Sequence, residues 1–126
     1  MLIVADPLIA GCAETFGRLG TLRLVPGRTI TRAALAEAEI LLVRSVARVA
    51  AALLSGTPVR FVGSATAGTG DVELDYLRRA GIDFAHAPGS NAAAVAEYVL
   101  CAILSILARD RRPDWSGLTA GIIGHG

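Results

Sequence analysis

The chain has 126 residues, of which 53% are hydrophobic and 18% charged, and this length fits one compact domain. The high apolar fraction excludes a disordered segment and favours a buried core. Two cysteines alone exclude a disulfide scaffold and fit a reducing cytosol, so we expect a cytoplasmic protein. A formal net charge of +1, scattered along the chain, argues against a nucleic-acid partner or a polybasic membrane surface.

Neither apolar segment of the chain predicts targeting to a membrane. The N-terminal run ends at Asp6 and has no basic flank, so it is predicted to be a buried strand and not a signal peptide. Residues 92–108 are apolar nearly all round, but a bilayer span needs ~20 such residues. We therefore predict a buried or interface helix there, in which Glu97 requires a buried partner, for example across a subunit interface.

Short apolar, β-branched runs alternate with helical patterns along the chain, which is typical of βαβ units around a parallel sheet. Strands are predicted at residues 2–5, 22–25, 40–43, 59–62, 82–85 and 118–123. Helices are predicted at residues 7–19, 31–38, 49–54, 72–80 and 92–108. Asp6 and Thr31 are expected to cap the first two helices, and Ser90 or Asn91 the last. The pattern predicts an α/β fold, a flavodoxin-like doubly wound parallel sheet.

A polar stretch that contains Pro113 follows the long helix and marks a boundary. Residues 1–112 are predicted to form the flavodoxin-like domain, with the long helix as a connector. Residues 113–126 would begin a second, dinucleotide-binding Rossmann domain, because a strand running into Gly124 and Gly126 is how such a turn starts. That fingerprint is incomplete, and we expect the chain to be truncated there.

Two loops carry the candidate binding residues, because ligands of an open parallel sheet bind outside the carboxyl ends of its strands. Arg44 and Ser45 follow the third strand and offer a guanidinium fork beside a hydroxyl. A loop of small residues, 63–70, follows the fourth strand and lets backbone N–H groups approach an anion, while Ser64, Thr66 and Thr69 supply hydroxyls. Taken singly, each could be a surface ion pair or a tight turn; together they favour a site for an anionic small molecule.

The other titratable groups are poor catalytic or metal-binding candidates. His86 and His125 have no nucleophile or acid near them in sequence, and the chain lacks the clustering that a metal site needs. Cys12 and Cys101 fall in helical segments and are expected to pack as small apolar residues. We therefore predict no catalytic residue and no metal site within this chain.

Several segments together resemble the D-2-hydroxyacid dehydrogenase superfamily. Its subfamily that oxidises 4-phospho-D-erythronate with NAD, in pyridoxal phosphate biosynthesis, is the most similar. The resemblance rests on LVRSV (42–46), FVGSATAGT (61–69), APGSN (87–91) and VAEYV (95–99), with VPGR (25–28) and Arg109-Asp110 in support. The chain departs from the subfamily at Thr69-Gly70-Asp71, where Thr-Asp-His is usual, and at Ser90, where cysteine is usual.

The resemblance implies that Ser45 and Thr66 bind a small, phosphorylated sugar acid, with Arg44 beside them. It implies NAD as the cofactor, a homodimer joined partly through the long helix, and a catalytic set that lies downstream of this chain. The 126-residue piece alone is then expected not to turn over. The alternatives are another 2-hydroxyacid dehydrogenase, such as one acting on phosphoglycerate, or a non-catalytic flavodoxin-like dimerisation or binding module.

Overall fold

The computed structural model describes residues 1–112, 114–119 and 121. Contacts divide the chain into two compact units, Met1–Ser90 and Asn91–Gly126. The strands are β1 Leu2–Ala5, β2 Thr21–Leu24, β3 Ile40–Val43, β4 Phe61–Ser64 and β5 Asp83–His86. The α-helices are α1 Cys12–Phe16, α2 Ala51–Leu54, α3 Leu74–Ala80 and α4 Ala92–Arg109.

The first unit is built around a five-stranded sheet in the order β2-β1-β3-β4-β5, with every strand pair parallel. This is the strand order of flavodoxin-like doubly wound folds. The predicted α/β fold class is therefore confirmed. In this order β1 and β3 are neighbours with connections that leave in opposite directions, so a crevice opens at their carboxyl ends.

Apolar clusters cover both faces of the sheet, which explains why its central strands are continuously apolar. The larger cluster includes Val4, Leu41, Val43, Val62 and Leu77, all of them at most 1% exposed. The smaller cluster, on the alternate positions of the strands, is formed by Ile3, Ala5, Cys12 and Leu42.

The first helix is shorter than predicted, and Asp6 does not cap it. Gly11, with a φ of 65°, is the N-cap of α1, and Gly17 is its C-cap, so five residues remain between them. Asp6 instead accepts a hydrogen bond from the backbone N–H of Leu8, 2.8 Å away, in the turn that follows β1. The predicted helical cap at Asp6 is wrong because a local turn uses its carboxylate first.

Other boundaries shift by a few residues for reasons of pairing. Val49 forms a parallel bridge with Val72, so α2 and α3 begin only after these positions, at Ala51 and Leu74. The segment predicted as a helix over 31–38 holds a 3₁₀ turn, Ala33–Leu35, with Arg32 at its N-cap position and no side-chain cap. Thr31 Oγ1 accepts from the backbone N–H of Ala34 at 3.3 Å but lies one residue before the N-cap, so the predicted cap at Thr31 is wrong. Strand β4 runs two residues further than predicted, to Ser64, because it continues to pair with β3.

The second unit contains α4, with Asn91 at its N-cap position and no hydrogen bond from that side chain to the helix. Within the described part of the chain, α4 is the one helix long and apolar enough to cross a membrane, judged by length and composition alone. Half of the predicted strand at 118–123, namely residues 120, 122 and 123, falls outside the described residues; Leu118, Thr119 and Gly121 are not in a strand. Gly124 and Gly126 lie outside them as well.

Candidate functional site

The loops after β3 and β4 leave the sheet side by side. Val43 and Ser64 are register partners at the ends of the two strands, and the backbone N–H of Ala65 donates to the carbonyl of Val43 at 2.9 Å. Ser45 and Thr66 each lie two residues beyond this last pair. Because the strands are parallel and in register, both residues emerge at one edge of the sheet.

Two hydroxyl groups contact each other where the loop after β4 begins. Ser64 is 7% exposed, and its Oγ lies 2.8 Å from Thr66 Oγ1. Thr66 also donates weakly to the carbonyl of Gly68 at 3.4 Å. A hydroxyl carries one proton and two lone pairs, so Thr66 can donate to an anionic ligand when its proton leaves the weak bond to Gly68.

Arg44 and Ser45 present polar groups that the first unit leaves unused. Arg44 is half-buried and Ser45 is exposed, and the loop is held by a backbone hydrogen bond from Ala47 to the Arg44 carbonyl at 3.2 Å. Over residues 1–112, 114–119 and 121, neither side chain has a hydrogen bond or an ion pair. A guanidinium and a hydroxyl in this state can bind a carboxylate or a phosphate directly.

The loops after β1 and β2, in contrast, are locked together by Asp6. This carboxylate is 2% exposed, and its Oδ2 accepts a hydrogen bond from the backbone N–H of Gly27 at 3.0 Å. Gly27 has no room for a side chain, because a Cβ there would lie 2.6 Å from Asp6 Oδ2 and 2.8 Å from Val46 Cγ2. The lock thus also positions Val46, in the loop that carries Arg44 and Ser45.

A mainly apolar cavity of about 270 Å³ opens at the carboxyl ends of β4 and β5. Ser64 and His86 supply its polar side chains, and they are register partners. The imidazole of His86 stacks on Phe84, with ring centroids 5.5 Å apart. The histidine is itself exposed and stacks on a neighbour of the same strand.

Residues 3–121 match the D-isomer specific 2-hydroxyacid dehydrogenase family, catalytic domain. The chain belongs to this family. The superfamily resemblance found in the sequence is thereby confirmed, and the fold agrees with it.

Similar curated proteins are named erythronate-4-phosphate dehydrogenase. The one from Salinibacter ruber is 55% identical over 98% of this chain and 31% of its own length. Those from Marinobacter nauticus and Pseudomonas aeruginosa are 54% and 48% identical over the whole chain and 33% of their own length. The chain thus spans about a third of the length of these relatives.

Solved structures support the fold of this dehydrogenase-family chain. D-lactate dehydrogenase from Aquifex aeolicus, in complex with NAD and lactic acid, aligns with a TM-score of 0.70 at 18% identity, covering 96% of this chain and 39% of that one. The apo D-lactate dehydrogenase from Escherichia coli aligns with a TM-score of 0.67 at 19% identity, covering 96% and 44%. At such identities the likeness establishes the architecture alone.

The predicted substrate residues of this family member therefore lie at one edge of the sheet, while their contact with substrate stays a prediction. Sequence reasoning missed the lock between Asp6 and Gly27, since a long-range hydrogen bond leaves no local pattern.

Cys12 is buried as expected, but Cys101 is exposed, and Glu97 is exposed rather than paired within the described residues. Both of these residues belong to α4, which also exposes apolar side chains such as Val95, Val99 and Leu104.

Proposed function

We propose that this chain is the substrate-binding portion of an NAD-dependent erythronate-4-phosphate dehydrogenase. The relatives that match the whole chain carry that name. The observation that carries the assignment to a site is the register of β3 and β4, which brings the Ser45 and Thr66 segments to one edge. Residues of both segments belong to the motifs that resemble this subfamily.

In this proposal the hydroxyl of Ser45 donates a hydrogen bond to the anionic sugar acid, and Arg44 adds a positive charge. The hydroxyl of Thr66 turns its one proton from the Gly68 carbonyl to the same ligand. The buried Ser64 fixes Thr66 through its 2.8 Å contact, so the hydroxyl is oriented before the substrate arrives. Such preorganisation lowers the ordering cost of binding. These groups would hold the substrate in the ground state and in the transition state alike, and their loss would therefore raise KM more than it lowers kcat.

The proposed reaction converts the 2-hydroxyl of 4-phospho-D-erythronate to a 2-oxo group. NAD, when bound, would accept the hydride from C2, and the hydroxyl proton would pass to a base. No described residue is proposed as that base, which we place in the remainder of the polypeptide along with the cofactor site. We propose that Gly124 and Gly126 start the NAD-binding turn. The 2-oxo acid product would enter pyridoxal phosphate biosynthesis.

We also propose where in the cell the protein acts and how it assembles. We place the protein in the cytoplasm, with no nucleic-acid or membrane partner. We propose a homodimer that uses α4, because this helix exposes Val95, Val99 and Leu104 and apolar side chains of this kind favour burial at an obligate interface. Sedimentation of the complete protein would test the dimer directly.

A chimera tests the proposed function with this chain itself. Residues 1–126 would replace the matching segment of the Pseudomonas aeruginosa relative, which aligns over 126 residues. The chimera is expected to reduce NAD with 4-phospho-D-erythronate in preference to 3-phosphoglycerate or D-lactate. Ser45→Ala and Thr66→Val should each raise KM about tenfold, the value of one well-placed hydrogen bond to a charged ligand. Arg44→Ala should raise it by a smaller factor.

The control is Thr21→Val, an exposed hydroxyl at the opposite, amino end of β2. It should leave KM unchanged. A folded chimera that prefers 3-phosphoglycerate would contradict the substrate assignment, and unchanged KM in both loop variants would remove Ser45 and Thr66 from the site.

A further inference from the structure

A second cavity, of about 440 Å³, borders the loop that carries Arg44 and Ser45. Three arginines line it, Arg28, Arg32 and Arg48, together with the hydroxyl-bearing Thr31. The loop after β2 contributes the first two arginines, and the loop after β3 contributes the third. The cavity therefore lies between the loops that follow β2 and β3, beside helix α2.

The charge of this arginine cavity is almost uncompensated. No aspartate or glutamate lines it. Arg48 lies 3.7 Å from Glu73, but both groups are well exposed, at 81% and 45%, so water screens that pair. In the part of the chain that the structure describes, Arg28 and Arg32 have no ion pair.

One of the arginines is held in place by the backbone. Arg32 Nη2 donates to the carbonyl of Ala52 at 2.6 Å, which ties the loop after β2 to helix α2. A guanidinium has five donors in a fixed fork, so this single bond leaves several donors for a ligand. An anchored guanidinium loses less conformational entropy on binding than a free one.

We propose that Arg28, Arg32 and Arg48 form a binding site for a phosphate group. A phosphate monoester carries up to two negative charges and three acceptor oxygens, which matches a set of converging guanidinium donors better than a single carboxylate does. The phosphate could belong to the proposed phosphorylated substrate or to a separate phosphorylated metabolite. Only this choice of source rests on the proposed function.

An NMR titration of the full chain with inorganic phosphate tests the site without turnover. At constant ionic strength, backbone amides over 27–32 and 46–48 should shift saturably with phosphate and not with chloride. Arg32→Gln and Arg28→Gln should each weaken the affinity about tenfold. The spectra also show whether each variant is folded, and Arg28 makes no hydrogen bond within the described residues whose loss would disturb the fold.

The matched control is Arg18→Gln, which removes one charge from an exposed arginine outside the cavity. It should leave the phosphate affinity within about twofold of the parent. Shifts that do not saturate, that chloride reproduces, or that Arg18→Gln weakens as much as Arg32→Gln would overturn the proposal.

Kinetics of the chimera then identify the source of the phosphate. If the substrate supplies it, Arg28→Gln raises KM for 4-phospho-D-erythronate but not for unphosphorylated D-erythronate, and inorganic phosphate competes with the substrate. If a separate metabolite supplies it, KM is unchanged and saturating substrate leaves phosphate binding intact. An inactive chimera would refute the proposed function, whereas the titration decides the phosphate site independently.

Discussion

The carboxyl edge of the sheet has two halves with opposite character. Above β1 and β2, the buried Asp6 has both carboxylate oxygens occupied, by the N–H groups of Leu8 and Gly27. Above β3 and β4, Arg44 and Ser45 have no partner among the described residues, and Thr66 is joined to Ser64 alone apart from a weak bond to Gly68. The same edge thus contains a closed half and an open half.

The difference indicates that some loop residues at this edge stabilise the fold and others are available to bind a ligand. A buried carboxylate is tolerated only when its oxygens are satisfied, so Asp6 stabilises the fold and has nothing left to offer a ligand. Polar groups of the open half remain hydrated, which costs little stability and keeps them available for binding. Substitutions of Asp6 or Gly27 should therefore change stability, and substitutions of the polar side chains that the fold leaves free, including the arginines of the second cavity, should change ligand affinity.

Gly27→Ala is expected to have the largest effect. The new methyl would collide with Asp6 Oδ2 and Val46 Cγ2, and the free energy of unfolding should fall by about 2–4 kcal/mol through overpacking and a broken hydrogen bond. Urea denaturation measures the change. Gly70→Ala is the control, since a Cβ there meets nothing within 4 Å; equal losses in the two variants would disprove the lock.

Asp6→Asn should come next, with a loss of about 1–3 kcal/mol in the free energy of unfolding. The amide nitrogen of asparagine donates and cannot accept, so the N–H of Leu8 or of Gly27 would lose its partner. Asp83→Asn, at an exposed position of β5, is the matched control and should be neutral within about 0.5 kcal/mol. A similar loss at both positions would show that burial of Asp6 is unimportant.

Ser64→Ala tests the open half of the edge. It removes the buried hydroxyl that contacts Thr66, and unfolding free energy should fall by about 0.5–1.5 kcal/mol. In the chimera, KM for the phosphorylated acid should rise by about threefold, less than in Thr66→Val, because Ser64 acts through Thr66. The control is Ser55→Ala, at an exposed serine after α2, which should change neither the free energy of unfolding nor KM. If KM in Ser64→Ala equals that of the parent, Ser64 does not position Thr66.

The smallest expected effect concerns Cys12, whose thiol reports on the closed half. Burial raises the pKa of this thiol, and the charges of Glu14 and Asp6 raise it further. Alkylation by iodoacetamide needs the thiolate, so its rate should increase with pH through a midpoint above that of free cysteine. Glu14→Gln should lower the midpoint slightly, as mass spectrometry of the labelled peptide would show. A midpoint at or below that of free cysteine would contradict the buried position.

Periodicity and composition predicted the sheet well because each central strand is apolar on both faces, and β1 and β3 lie where the pattern placed them. The loops that carry Ser45 and Thr66 could be selected because they follow strands, and the parallel sheet determines at which edge; the choice of these two residues within the loops came from the family resemblance. The arginine cavity could not be found in this way. Arg28, Arg32 and Arg48 are separated by turns, and only the packing of those turns brings them around one space.

The sequence by itself determined the fold class, the family and the two loops that carry the candidate substrate residues, since these depend on local apolar runs and short motifs. Tertiary structure alone decided the role of Asp6, the need for glycine at position 27 and the grouping of three arginines. Each of these depends on atoms about 20 residues apart, such as the Asp6–Gly27 bond across 21 positions, and such distances are set by strand register and not by local sequence.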